Sequence, residues 1–354
     1  MIYKTLGSVL VLAATSLSLL SLNWRSEIAF SEHSEETLLL ADMQSMTVED
    51  ALSRLDGPRY AHHLDKADPE KVQWGKELIF EGRAKRNGKR GKLVSIHFVC
   101  TDCHNLVKET EHPADKDPAH RLKYAVSKQI QFLPGSTLWG IYDRNHWYND
   151  DYVKKYGDLI TNARDSLANA VQVCSKYCSS GRFLEDWELD AIMHYFKDQQ
   201  LHLSDLPLSK DQLMALAKSD QLGKTEKTAL RKSIESSFER AFPATFLETM
   251  PRDQRKYGEG GDAQKGEQLY ELSCLYCHEN GRVTYLNLSK DQLSARMFWK
   301  NITTYNDLSL YQIIRHGTYA KTGRKQYMPH FTKEKMSDQQ IEDLVAYIKK
   351  LAKK

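Results

Sequence analysis

With 354 residues, a formal net charge of +3, 27% charged and 41% hydrophobic residues, the chain has room for two domains that each bury a core. Its charge balance gives no argument for nucleic acid, and the short basic run from Arg83 to Lys92 reads as a solvated, glycine-rich loop. All six cysteines fall in pairs, at 100/103, 174/178 and 274/277.

In chain order, Lys4 precedes an apolar stretch from Leu6 to Leu22, which is marginal for a full membrane span. No small-x-small cleavage site follows, because Glu27 stands two residues before Ala29. Residues 1–30 are therefore read as a signal peptide or a retained N-terminal membrane anchor, and either places the rest in the periplasm or an equivalent compartment. Residues 31–69 form a polar lead-in with weak helices at Met46–Leu55 and Ala61–Asp68. Trp74, Leu78 and Ile79 then share one face of a helix-like run that ends in a loop from Gly82 to Gly91. The loop leads to Cys100-Thr101-Asp102-Cys103-His104.

Beyond this pentad come an acidic loop from Glu109 to His120, a helix near Arg121–Gln129, the turn Leu133-Pro134-Gly135-Ser136 and an aromatic stretch (Trp139, Tyr142, Trp147, Tyr148, Tyr152, Tyr156) read as packing. Ala163–Val173 turns helical, with Leu167, Ala170, Val171 and Cys174 on one stripe. Gly181-Arg182 interrupts it, and Asp186 is expected to cap a helix with Leu189, Ile192, Tyr195 and Phe196 on its buried side. Residues 201–258 are read as a helical linker with helices at Lys210–Lys218 and Glu226–Phe238. From 259 onward a second domain opens, with Ala263, Gly266, Leu269 and Tyr270 running into Cys274-Leu275-Tyr276-Cys277-His278. It closes with a helix capped by Ser337 and Gln340, whose buried residues are Ile341, Leu344, Val345 and Ile348.

C-x-x-C-H is the signature of c-type haem attachment, in which two thiols add to the haem vinyl groups and the next histidine binds iron. Two copies, one in each half of the sequence, imply two covalently bound haems, on Cys100, Cys103 and His104 and on Cys274, Cys277 and His278. The second domain resembles a class I cytochrome c, and that places Met328, on a loop after Gly323 and ahead of the Tyr347 helix, as distal ligand; Met336 is less well placed. The Met328-to-Tyr347 spacing, measured back from Tyr195, finds no methionine and lands between Cys174 and Cys178. A thiolate ligand, Cys174 in preference to Cys178, is the favoured reading. A Cys174–Cys178 disulfide, buried thiols, or His97, His112, His120, His146 or His194 as ligand remain open.

Overall the sequence reads as all-α, with two class I cytochrome c-like domains, residues 70–200 and 259–354, joined by the linker. The first domain resembles the dihaem thiosulfate dehydrogenases and the haem subunit of the Sox system, with Cys178-Ser179-Ser180-Gly181 standing where that family has a Cys-x-x-Ser-x-Asn-Gly turn. The resemblance implies chemistry on a sulfur oxyanion at a Cys174-ligated haem and electron delivery through the Met328 haem to a redox partner protein; Arg182, Lys176 and Lys123 are candidate cationic groups for such an anion by their nearness in sequence alone. A carrier without substrate chemistry and a dihaem peroxidase are the alternatives.

Overall fold

The computed structural model describes residues 36–284, 286–305, 309–318 and 328–353. The segment read as signal peptide or anchor and Gly323 lie outside them. After a helical run over 36–45, the helices are α1 (Val48–Arg54), α2 (Pro69–Glu81), α3 (Pro118–Lys128), α4 (Asp150–Tyr156), α5 (Leu167–Val173), α6 (Asp186–Asp198), α7 (Lys210–Ala217) and α8 (Lys224–Ser236). Then follow α9 (Ala263–Leu269), α10 (Gln292–Thr304), α11 (Leu310–His316) and α12 (Asp338–Ala352). The fold is all-α. The one sheet among the described residues is an antiparallel hairpin of Lys85–Arg86 with Lys89–Arg90, inside the stretch expected as a loop. Asn87 and Gly88 make it, since both adopt the positive φ (51° and 73°) that a tight hairpin turn requires. No helix among the described residues is long and apolar enough to cross a membrane.

Each half is built on one helix crossing. Asp68 caps α2 by accepting the N–H groups of Glu70 and Lys71, Pro69 occupies the first turn where no donor is needed, and Gly82 ends the helix at φ 68°. The polypeptide before it, 61–68, is turn rather than the expected helix. Asp68 must stay extended to cap, and a residue preceding proline is disfavoured in the helical region. Helix α2 packs on α6 through Gly75, where a Cβ would lie 2.7 Å from the Tyr195 Cβ. In the second half α9 packs on α12 through Gly266, where a Cβ would lie 2.9 Å from the Tyr347 Cβ. The two tyrosines used as rulers thus occupy equivalent crossings.

Helix α12 starts as expected: Ser337 accepts the Gln340 N–H at 3.2 Å and the Gln340 side chain accepts the Ser337 N–H at 3.0 Å. In α6, by contrast, Asp186 lies inside the first turn. Glu185 takes the cap position, its N–H donating to the Glu188 carboxylate at 2.8 Å.

Two cores result. The first joins Leu78, Ile79, Ile192 and Phe196 to Val48, Leu52 and Leu55 from the lead-in and to Leu203, Leu216 and Ile234 from the linker stretch. The half built on α2 and α6 thereby covers the apolar residues of α1, α7 and α8. The second joins Leu269, Ile314, Ile341, Leu344 and Ile348 to Leu122, Ala125 and Phe132, which come from the first half of the sequence. The Phe132 N–H donates to the Leu272 carbonyl at 2.9 Å, anchoring that excursion.

Candidate haem-binding site

The first pentad is shaped by its own aspartate. Cys100–Asp102 form a single tight turn, and the Asp102 carboxylate accepts the Val99 N–H at 2.8 Å, which closes the turn and presents both sulfurs and His104 together. His104 is then oriented from behind. Its Nδ1 lies 2.6 Å from the Ser136 carbonyl, so Nδ1 carries the proton and Nε2 is left as the free donor atom. Gly135 makes this approach feasible, because a Cβ there would stand 2.6 Å from the ring. His278 repeats the device with the Leu286 carbonyl at 2.9 Å. Burial lowers the pKa of both rings, which keeps them neutral, the form that binds metal. As free side chains, Cys100 and Cys277 are pushed up to about 11 and Cys274 to about 12, in each case by burial.

A cavity of about 200 Å³ opens over the first pentad. Leu78, Ile79, Leu138, Leu167, Ile192 and Phe196 make it apolar, and Cys100, Cys103, His104, Cys174 and Cys178 all line it. Helix α5 carries the last pair in. At its end the helix widens, the Ser179 N–H reaching the Cys174 carbonyl five residues back at 2.9 Å, and both sulfurs are turned toward the cavity. Cys174 Sγ lies 4.0 Å from His104 Nε2. A metal bound to imidazole nitrogen at about 2.0–2.1 Å and to thiolate at about 2.3 Å holds those donors about 4.3 Å apart. The pair is spaced for one ion between them. The two thiols also hydrogen-bond to each other; that bond raises the pKa of Cys174, as burial does, and lowers that of Cys178, where the Tyr148 hydroxyl and the Lys155 charge act in the same direction.

The residues also fit the organic part of a haem. The walls are apolar, and the Trp147 indole Nε1, on a residue lining the cavity, is buried with no hydrogen-bond partner, a donor suited to a propionate carboxylate. Trp147, Tyr148 and Tyr152 line the cavity, whereas Tyr142 is wholly buried in the first core.

The other expected cations lie elsewhere. Arg182 does not line the cavity: its guanidinium forms a two-pronged pair with Glu188, both contacts 2.6 Å, and donates to the Leu93 and Lys92 carbonyls. The forked geometry that suits an oxyanion is used on a carboxylate. Lys176 sits over the Phe183 ring at 5.6 Å, and Lys123 is exposed on α3. None of His97, His112, His120, His146 and His194 lines the cavity; His194, for example, accepts the Asp68 N–H at 3.0 Å. Met328 is fixed by its carbonyl, which accepts the Thr318 N–H at 3.3 Å, and Met336 is buried in the second core.

The distance between the pentads in sequence conceals their contact. The Tyr276 hydroxyl donates to the Thr101 carbonyl at 3.0 Å, and Arg282, lying 3.8 Å over the Tyr276 ring, pairs with Asp102 at 3.3 Å. Residues inside one C-x-x-C-H thus touch residues inside the other. A second contact was equally hidden: Pro329, His330 and Thr332, which follow Met328, line the first cavity. Only the Pro134-Gly135 turn, downstream of the first pentad, carried a local signal for its role behind His104.

Residues 261–348 match the family model described as cytochrome C oxidase, cbb3-type, subunit III. No curated protein and no solved structure matches the chain. The matched segment is a cytochrome c domain, a module that binds haem c covalently and transfers electrons.

Proposed function

We propose that the chain is an exported dihaem c-type cytochrome that oxidises a sulfur oxyanion such as thiosulfate in the first cavity and passes the electrons through the second haem to a redox partner protein. Cys100 and Cys103 would attach the first haem, with His104 and Cys174 on its iron; Cys274 and Cys277 would attach the second, with His278 and Met328. The observation that carries this reading is the 4.0 Å separation of His104 Nε2 and Cys174 Sγ across an apolar cavity. A donor on each side of the metal position argues against a peroxidase, which needs one side open.

Thiolate ligation lowers a haem potential and thioether ligation raises it, so the two sets of donors order the flow from first to second. The Tyr276–Thr101 and Arg282–Asp102 contacts hold the attachment turns together for that transfer. The chemistry balances as two thiosulfate dianions joined through a new S–S bond into one tetrathionate dianion, with two electrons released, one to each haem.

Low-temperature EPR of the oxidised holoprotein tests the ligands. The expected signal is low-spin with the narrow g-spread of thiolate ligation, lost in Cys174→Ala and retained in Cys178→Ala; a first-haem signal unchanged in both variants sinks the assignment. Thiosulfate added to the same protein should reduce it and yield tetrathionate. Absence of turnover would leave an electron carrier.

A further inference from the structure

We propose that His330 and Thr332, contributed by the second half of the chain, form the anion-binding end of the first cavity and hold the sulfur oxyanion there, with Lys155 as an outer attractor. This inference rests on the sulfur-oxyanion reading above. Among the described residues the cavity is lined by no Lys, Arg, Asp or Glu, and His330 is its one imidazole besides His104. An anion entering it must therefore be held by neutral donors or by that ring.

Two polar atoms are placed for this. His330 Nδ1 and Thr332 Oγ1 are buried without a hydrogen-bond partner, on residues that both line the cavity. Leaving such groups unmet is costly, so their retention points to a ligand that completes them. The neighbourhood adds charge. The Phe246 ring lies 4.9 Å from both the His330 and the Tyr152 rings, and Lys155 Nζ sits 4.6 Å over Phe246, where its charge interacts with Cys178. Three carboxylates stand on this side and face other partners: Glu248 lies 3.7 Å from His316, Asp151 accepts the Phe246 N–H at 3.2 Å, and Glu334 accepts from Thr245 at 2.6 and 3.0 Å. The cavity lining thus carries two unmet polar atoms and the Cys178 thiol, with Lys155 behind Phe246, features that suit the oxygens and terminal sulfur of a small sulfur-bearing anion.

Calorimetric titration of thiosulfate into the oxidised full-length holoprotein tests the site. His330→Ala is expected to weaken binding by roughly 10-fold or more and Thr332→Val by a smaller factor, with His330→Gln, which keeps a donor, recovering part of the loss. Lys155→Gln is expected to weaken binding modestly and to flatten its salt dependence. If wild type and all four variants bind equally, the inference fails while the sulfur-oxyanion reading stands. If wild type binds no thiosulfate, the reading itself falls and takes the inference with it. If His330→Ala shifts the first-haem potential but leaves thiosulfate affinity intact, the two atoms serve a haem propionate and the inference is overturned.

Discussion

At the scale of single residues, small groups behind His104 and between the pentads do the positioning. Gly135 lets the Ser136 carbonyl reach the His104 ring, and a methyl group there would stand 2.6 Å from it. Gly135→Ala is therefore expected to block incorporation of the first haem and spare the second, and haem content measured by the pyridine haemochromogen assay should fall from two to one per chain. A value of one in the wild type would refute the two-haem reading. Arg282 is different in kind. Its side chain is 44% exposed, so its pairing with Asp102 contributes at most about 1 kcal/mol of stability. Arg282→Ala should thus leave the melting temperature almost unchanged while slowing electron transfer between the haems, measurable by pulse radiolysis. An unaltered transfer rate would show that this contact does not set the haem spacing.

The elements place the sulfurs and the crossings. Gly75 and Gly266 sit on helices, where alanine is ordinarily favoured by about 1 kcal/mol. At these crossings the new methyl would collide with backbone of the facing helix, so the sign reverses and overpacking should cost about 1–3 kcal/mol or more. Gly75→Ala is expected to lower the unfolding midpoint through the first half and Gly266→Ala through the second, distinguishable by loss of amide hydrogen-exchange protection in α2 or in α9. The widened turn after α5 has a counterpart at Tyr270–Leu275, which carries Cys274. In both halves a regular helix widens at a cysteine, as such insertions do at functional sites elsewhere.

Across the whole molecule, one buried charge cluster ties the halves together. The Glu109 carboxylate accepts from Arg121 at 2.9 and 3.1 Å and from Lys335 at 2.7 Å, all three side chains being almost fully buried. Burial alone would raise the Glu109 pKa, but Arg121 and Lys335 overcome it and hold Glu109 down to about 2. A carboxylate depressed from 4.5 contributes stability that is present above pH 4.5 and is lost as pH falls toward 2, while burial, which brings the Lys335 ammonium down to about 8, works against the pair. Glu109→Gln should remove that acid-side slope and, by leaving two cations short of a partner, destabilise the protein by about 3–5 kcal/mol at neutral pH. Urea unfolding from pH 2 to 7 measures both effects.

From residues alone the haem pentads, the all-helical class, the crossing tyrosines and the slot holding Cys174 and Cys178 were readable, because each is a short-range signal: a covalent motif, a 3.6-residue period, a fixed distance to a closing helix. Cap residues were readable where one side chain serves one helix start, as at Ser337, and misread at Asp186, where two glutamates share the task. What Arg182 pairs with was not legible, since a guanidinium suits a carboxylate and an oxyanion equally and only the fold brings Glu188 to it. Nor was the meeting of Thr101 with Tyr276, 175 residues apart, or the entry of His330 into the first cavity. Those contacts depend on how two cores dock, and docking is decided by packing and buried charge spread over the whole chain. No local pattern encodes it. The sequence by itself determined where the two C-x-x-C-H pentads lie; the tertiary structure decided that they meet and that the segment after Met328 enters the first cavity.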